Sequence, residues 1–96
     1  MYKFTAAAAS DVEDILDQSL SDFGTRQTEA YYTSLTQCLE LLGDNPEMGS
    51  AADDIRPGYR RFPHESHVIF YTVDAEDILI VRILHKRMDA LRNFPE

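Results

Sequence analysis

Residues 67–85 read His67-Val68-Ile69-Phe70-Tyr71-Thr72-Val73, then Asp74-Ala75-Glu76-Asp77, then Ile78-Leu79-Ile80-Val81-Arg82-Ile83-Leu84-His85. Two runs rich in β-branched and aromatic residues flank a polar tetrapeptide. That is the pattern of two antiparallel strands joined by a turn. By simple alternation the second run is apolar on both faces. Ile78, Ile80 and Leu84 lie on one face and Leu79, Val81 and Ile83 on the other, interrupted only by Arg82 and His85. A sheet covered by helices on one face alone should alternate apolar with polar. The strand therefore predicts a cover for the second face, either a bound partner or a second copy of the chain.

Working upstream, residues 59–62 give a third strand, held to that length by Pro57 and Gly58 before it. Residues 63–66 are read as the turn between these strands. Residues 43–54 carry turn formers and few large apolar groups, and are read as a loop. Before them lie two helical stripes. Val12, Ile15, Leu16, Leu20 and Phe23 form the first; Tyr31, Leu35, Cys38, Leu39 and Leu42 form the second. Ser10 with Glu13 reads as a capping box that opens the first helix, and Asp11, Glu13 and Asp14 as complements to the positive end of its dipole. Gly24 stops that helix and Thr25 caps the next, so the two fold back as a hairpin. Residues 1–5 form a short strand, with Tyr2 and Phe4 on one face. Residues 86–94 form either a short terminal helix or an irregular tail. The order is strand, helix, helix, strand, strand, strand. This predicts a two-layer α+β domain over residues 1–96, its helix hairpin packed on one face of a mainly antiparallel sheet.

The 96 residues suffice for one core, and 44% hydrophobic with 27% charged residues is the balance of a globular chain. No apolar run approaches the length of a membrane span, and residues 6–9 (four alanines) do not make a signal peptide. One cysteine excludes an internal disulfide and a multi-cysteine zinc module, and fits a cytoplasmic location. Net charge is −8, unevenly divided. Residues 1–54 hold two basic and eleven acidic side chains; residues 55–96 hold seven basic and six acidic ones. An acidic surface argues against general nucleic-acid binding.

Few side chains are arranged for chemistry. His64 and His67 form His-x-x-His across a turn without a third ligand, so no metal site is expected. Cys38 belongs to a core stripe. No phosphate-cradling glycine loop is present, and no cofactor is implied. Arg82 admits two readings: an internal ion pair, with Asp89 or Glu65 as partner, or a side chain directed outward to a partner protein. Arg60 and Arg61 are consecutive in a strand and point to opposite faces. Met88, Leu91 and Phe94 make the tail either a turn packed on the domain edge or a mobile contact element.

In its order of elements the chain resembles the ParE/RelE superfamily of bacterial toxins, and the ParE branch in particular. Three stretches carry the resemblance: Phe23-Gly24 with Gln27 and Tyr31; Arg60-Arg61-Phe62 with His67-Val68-Ile69-Phe70-Tyr71; and Ile80-Val81-Arg82-Ile83-Leu84-His85-Lys86-Arg87-Met88-Asp89. It implies the toxin of a type II toxin–antitoxin module. Such a toxin inhibits DNA gyrase, and so replication, without catalysing a reaction. A ParD-like antitoxin with a ribbon-helix-helix DNA-binding domain silences it in a hetero-oligomer. Arg60, Arg61, Arg82, His85, Arg87 and Met88 are the residues expected to contact target or antitoxin, with basic toxin residues pairing acidic antitoxin ones on an apolar groove. Two alternatives stand beside this: a ribosome-dependent mRNA endoribonuclease, in which His85 would transfer a proton, and a non-toxic relative that only binds antitoxin. Toxins of this kind are often basic, so −8 departs from the pattern. The working surface is expected in residues 55–96, with the toxin acting on the gyrase protein and not by gripping DNA.

Overall fold

The computed structural model describes residues 1–94. Two helices, α1 (Ala6–Phe23) and α2 (Thr25–Asp44), pack on a five-stranded sheet built from β1 (Tyr2–Phe4), β2 (Ser50–Ala51), β3 (Arg60–His64), β4 (His67–Asp74) and β5 (Asp77–His85). The strand order is β1-β5-β4-β3-β2. Strands β2 to β5 are antiparallel neighbours, whereas β1 lies parallel to β5, with Tyr2 opposite Ile78 and Phe4 opposite Ile80. The predicted α+β order is present, with β2 added inside the segment read as a loop. A 3-10 turn at Pro46–Met48 precedes β2. Pro63 lies within β3, so the turn is shorter than the sequence suggests and centres on Glu65, at φ 52°. No helix among the described residues is long and apolar enough to cross a membrane.

Helix α1 begins earlier than Ser10. Thr5 is the N-cap, its hydroxyl accepting from the Ala8 amide at 3.0 Å. The run Ala6–Ala9 has the highest intrinsic helix propensity available, so the helix extends back to the nearest residue able to cap it. Asp11, Glu13 and Asp14 consequently fall beyond the first turn and do not serve the dipole. At the other end Gly24 adopts φ 86°, ψ −179°, a conformation essentially confined to glycine. It also stands as N-cap of α2, with no side-chain cap, so Thr25 is already helical. Leu35, Leu39 and Leu42 of α2 are buried as their spacing predicts. Of the α1 stripe only Val12 and Ile15 reach the core, beside the buried Ala8, which the stripe did not include; Phe23 is 62% exposed.

The alternation expected for β5 is interrupted. Phe70 pairs with Arg82 but Tyr71 pairs with Ile80, leaving Val81 as an extra residue. This bulge exchanges the two faces of the strand beyond it. Ile78, Ile80 and Ile83 all join the core beneath the helices, with Leu35, Leu39, Leu42, Ile69 and Tyr71. Leu84 and Val81 turn to the opposite side, so the assignment of Ile83 and Leu84 by strict alternation is reversed.

The second face is covered by the chain itself. Ala52 and Ile55, from the segment between β2 and β3, pack with Phe70 and Leu84, and Tyr59, Val68, Val81, Ala90 and Phe94 complete the cluster. The tail forms a 3-10 turn at Leu91–Asn93 and lays the Phe94 ring 5.1 Å from Phe70 and 5.8 Å from Tyr59, both edge-on. Neither a partner nor a second copy is needed to bury this apolar surface, because two loops that carry few apolar residues each combine to do so.

Candidate functional site

Beyond Ile80, β5 has no strand on its outer side, because β1 ends at Phe4. Side chains satisfy the exposed backbone there. Thr5 donates from its hydroxyl to the Val81 carbonyl at 2.9 Å, and Asp11 accepts from the Ile83 amide at 3.0 Å. Asp11 also meets Arg82 in a bidentate pair, with Nε and Nη2 donating at 2.7 and 2.8 Å. The remaining Arg82 nitrogen, Nη1, donates to the Asn93 carbonyl at 2.7 Å. Of the two readings for Arg82 the structure realises the ion pair, but with Asp11 in place of Asp89 or Glu65. Its hydrogen bonds to Asp11 push the guanidinium pKa up, against the opposing effect of burial.

The other two strand arginines are also engaged internally. Arg60 donates to the carbonyls of Glu47 and Gly49, and its Nε is buried without a hydrogen-bond partner among the described residues. Arg61 pairs with Asp54 and lies 5.6 Å from the centroid of Phe70. The two point to opposite sides, as consecutive strand residues must. Neither lies beside His85 or Met88.

His85 and Met88 instead border an open groove of about 750 Å³ between the tip of the helix hairpin and the ends of β4 and β5. The exposed turn after His85 places Arg87 beside it, with the Arg87 amide donating to His85 Nδ1 at 3.1 Å. Tyr31 of α2 and His67 of β4 form the polar part of the floor, bonded through Oη and Nδ1 at 2.8 Å. The His67 and His85 rings meet edge-on at 5.4 Å, and His64 lies 5.7 Å from Tyr31. Ile15, Phe23 and Met88 supply apolar surface, and Asp14, Asp22 and Glu65 supply negative charge. Among the described residues no lysine or arginine lines the groove. Sequence reading missed the acidic wall, although Asp14, Gln18 and Asp22 recur every four residues on one helix face.

Burial pushes the Tyr31 phenol up to about 12, aided by Glu65 and Cys38, so it remains a hydroxyl at neutral pH. Burial also lowers the His67 pKa, as do the nearby His85 and His64, against a smaller contrary effect of Glu65. The linkage has a definite sign. Above about pH 6.5, the ordinary histidine value, His67 is neutral in both folded and unfolded chains. Below it the unfolded chain takes up a proton that the folded ring resists, so stability falls with pH until the folded ring protonates too. Thermal midpoints should therefore decline from pH 7 towards pH 5, and His67→Gln should flatten that decline. A parallel decline in the variant would exclude His67 as its source.

The fold and groove can now be set against known proteins. The family model for "ParE toxin of type II toxin-antitoxin system, parDE" matches residues 2–90. The chain belongs to the ParE toxin family. It is 40% identical over 93 residues to Toxin ParE1 of Mycobacterium tuberculosis strain H37Rv, spanning 96% of this chain and 95% of that one. It is 35% identical over 89 residues to Toxin ParE1 of Caulobacter vibrioides, with 93% and 92% covered. A solved structure described as the chromosomal ParDE TA system from P. aeruginosa superposes with a TM-score of 0.75 at 22% identity, covering 88% of this chain and 92% of that one. At that identity the superposition speaks for the fold. As a ParE toxin, the chain is the toxin of a parDE type II toxin–antitoxin system.

Proposed function

We propose that this ParE toxin binds and inhibits DNA gyrase in the cytoplasm without catalysing a reaction. A ParD-like antitoxin of the ribbon-helix-helix type neutralises it in a hetero-oligomer. Full-length similarity to other ParE toxins carries this reading, and the chemistry of the groove supports it. A ribonuclease needs cations to hold the phosphate beside its acid and base. Here the histidines face aspartates and a glutamate, and a negative wall repels nucleic acid.

His85, Arg87 and Met88 are the residues we assign to target or antitoxin contact, since His85 and Met88 border the groove and Arg87 lies in the exposed turn between them. Arg60, Arg61 and Arg82 enter the proposal as supports, because their guanidinium groups are engaged inside the molecule. The purified toxin is expected to inhibit gyrase supercoiling and to accumulate cleaved DNA–gyrase complexes, leaving ribosome-bound mRNA intact. Unimpaired gyrase at excess toxin, with mRNA cut on ribosomes, would overturn it. Adding antitoxin should restore supercoiling.

A further inference from the structure

The chain beyond β5 is fixed at two places, and the turn carrying Arg87 and Met88 lies between them. On the near side the Lys86 amide donates to the Ser66 carbonyl and the Met88 amide to the His85 carbonyl, both at 2.9 Å. On the far side residues 89–93 close on themselves. The Asn93 side-chain amide donates to the Asp89 carbonyl at 2.8 Å, and the Leu91 amide to the Asp89 carboxylate at 3.1 Å. This closed unit is docked on the second face of the sheet. Arg82 and Arg56 donate to successive carbonyls, those of Asn93 at 2.7 Å and Phe94 at 3.2 Å, and hydrogen bonds from charged donors are the stronger kind. The Phe94 ring stands edge-on to both Phe70 and Tyr59, a favoured arrangement of aromatic pairs. Leu91 is 61% exposed, so the apolar anchor of the tail is Phe94, with Ala90 beside it in the same cluster. Arg87 and Met88 are themselves exposed, and the anchors on either side set their position.

We infer that Phe94 is a positioning residue: seated between Phe70 and Tyr59, it holds the turn of residues 86–88 in the pose that meets gyrase. The inference rests on the assignment of Arg87 and Met88 to target contact and adds what keeps them in place. A turn tethered only at His85 would sample many conformations and would have to be ordered on binding. A docked tail removes most of that freedom beforehand, and pre-organisation of this kind raises affinity without adding a contact. The apolar cluster on the second face thereby acts on a contact surface at the end of the sheet, through the backbone of residues 89–93.

The test uses the full chain. Phe94→Ala removes the ring and Tyr59→Ala removes one side of its seat, and both leave the Asp11–Arg82 pair in place. Ile78→Val is the control, a loss of buried volume in the core beneath the helices. Circular dichroism establishes that all three fold, and every measurement is made well below their thermal midpoints. Amide hydrogen exchange is followed at residues 86–88, and gyrase inhibition is measured as the toxin concentration that halves supercoiling. In Phe94→Ala and Tyr59→Ala the exchange should quicken on the order of 10-fold, and the half-inhibiting concentration should rise on the order of 10-fold. Ile78→Val should change neither. Unaltered exchange at residues 86–88 in Phe94→Ala would overturn the inference whatever gyrase does. Faster exchange with undiminished inhibition would overturn it too, and would leave the gyrase reading intact. Equal loss of inhibition in Ile78→Val would reduce the role of Phe94 to general stability and would overturn it as well. An unaltered toxin without effect on gyrase would overturn the gyrase reading and the inference together.

Discussion

Replacing Arg82 with alanine is expected to destabilise the toxin by about 3 kcal/mol, the scale for breaking a largely buried ion pair. For a domain of this size that lowers the thermal midpoint by about 15 °C. The side chains of Arg82 and Asp11 are 21% and 12% exposed, so solvent screens their interaction only weakly. Removing the guanidinium strands the Asp11 carboxylate near the sheet edge and deprives the Asn93 carbonyl of its donor. Asp11→Ala removes the same pair and also uncaps the Ile83 amide, so it should be at least as damaging. The double variant should cost well below the sum of the single ones, because each substitution alone leaves a charge without its partner. Arg82→Lys should recover only part of the loss, since an ammonium group cannot form the bidentate pair and reach Asn93 together. Denaturant titration of the four variants measures each step. A loss below about 1 kcal/mol for Arg82→Ala would place the pair among ordinary surface contacts.

The Asp11–Arg82 pair also marks where the sequence stops being readable. Periodicity reports which face of an element is apolar, and it identified the inner residues of both helices and the β4–β5 hairpin. It carries no information on which residue meets which across a separation of 71 positions. Asp11 was therefore assigned a local role at a helix start, and the helix start itself lay elsewhere. The bulge at Val81 is hidden for a related reason. An extra residue in a wholly apolar strand leaves no polar mark at the point where the faces exchange. The cover of the second face was missed because Ile55 and Phe94 are isolated apolar residues in turn-rich segments, and only the fold brings them together. Within the groove, His85 and Met88 were legible near the end of a strong strand. The acidic wall was not, because a charged helix face is by default a solvated one.

The other large effect is expected at Gly49, where alanine should destabilise the fold by about 3–5 kcal/mol, combining overpacking with lost hydrogen bonds. Tyr71 is fully buried, and its hydroxyl holds the segment before β2 in place. It donates to the Pro46 carbonyl at 2.6 Å and accepts from the Gly49 amide at 3.0 Å. Gly49 has φ −76° and ψ 157°, which alanine adopts without strain, so the reason for glycine is space. A Cβ there would fall 2.9 Å from both the Arg61 carbonyl and Cε1 of Tyr71, and nearer still to the phenolic oxygen. The ring cannot swing away, because it lies in the core with Ile69 and Ile80. The segment must move instead, breaking both hydrogen bonds and parting Arg60 from the Gly49 carbonyl. Tyr71→Phe alone should cost about 1–3 kcal/mol, since it leaves a buried donor and acceptor unpaired. In Gly49→Ala/Tyr71→Phe the closest clash is absent and the hydrogen bonds are already lost. The double variant should thus be more stable than the two single effects predict, by about 1 kcal/mol or more. Strict additivity would mean that the Cβ is accommodated without displacing Tyr71, and that the space around Gly49 is not what requires glycine there.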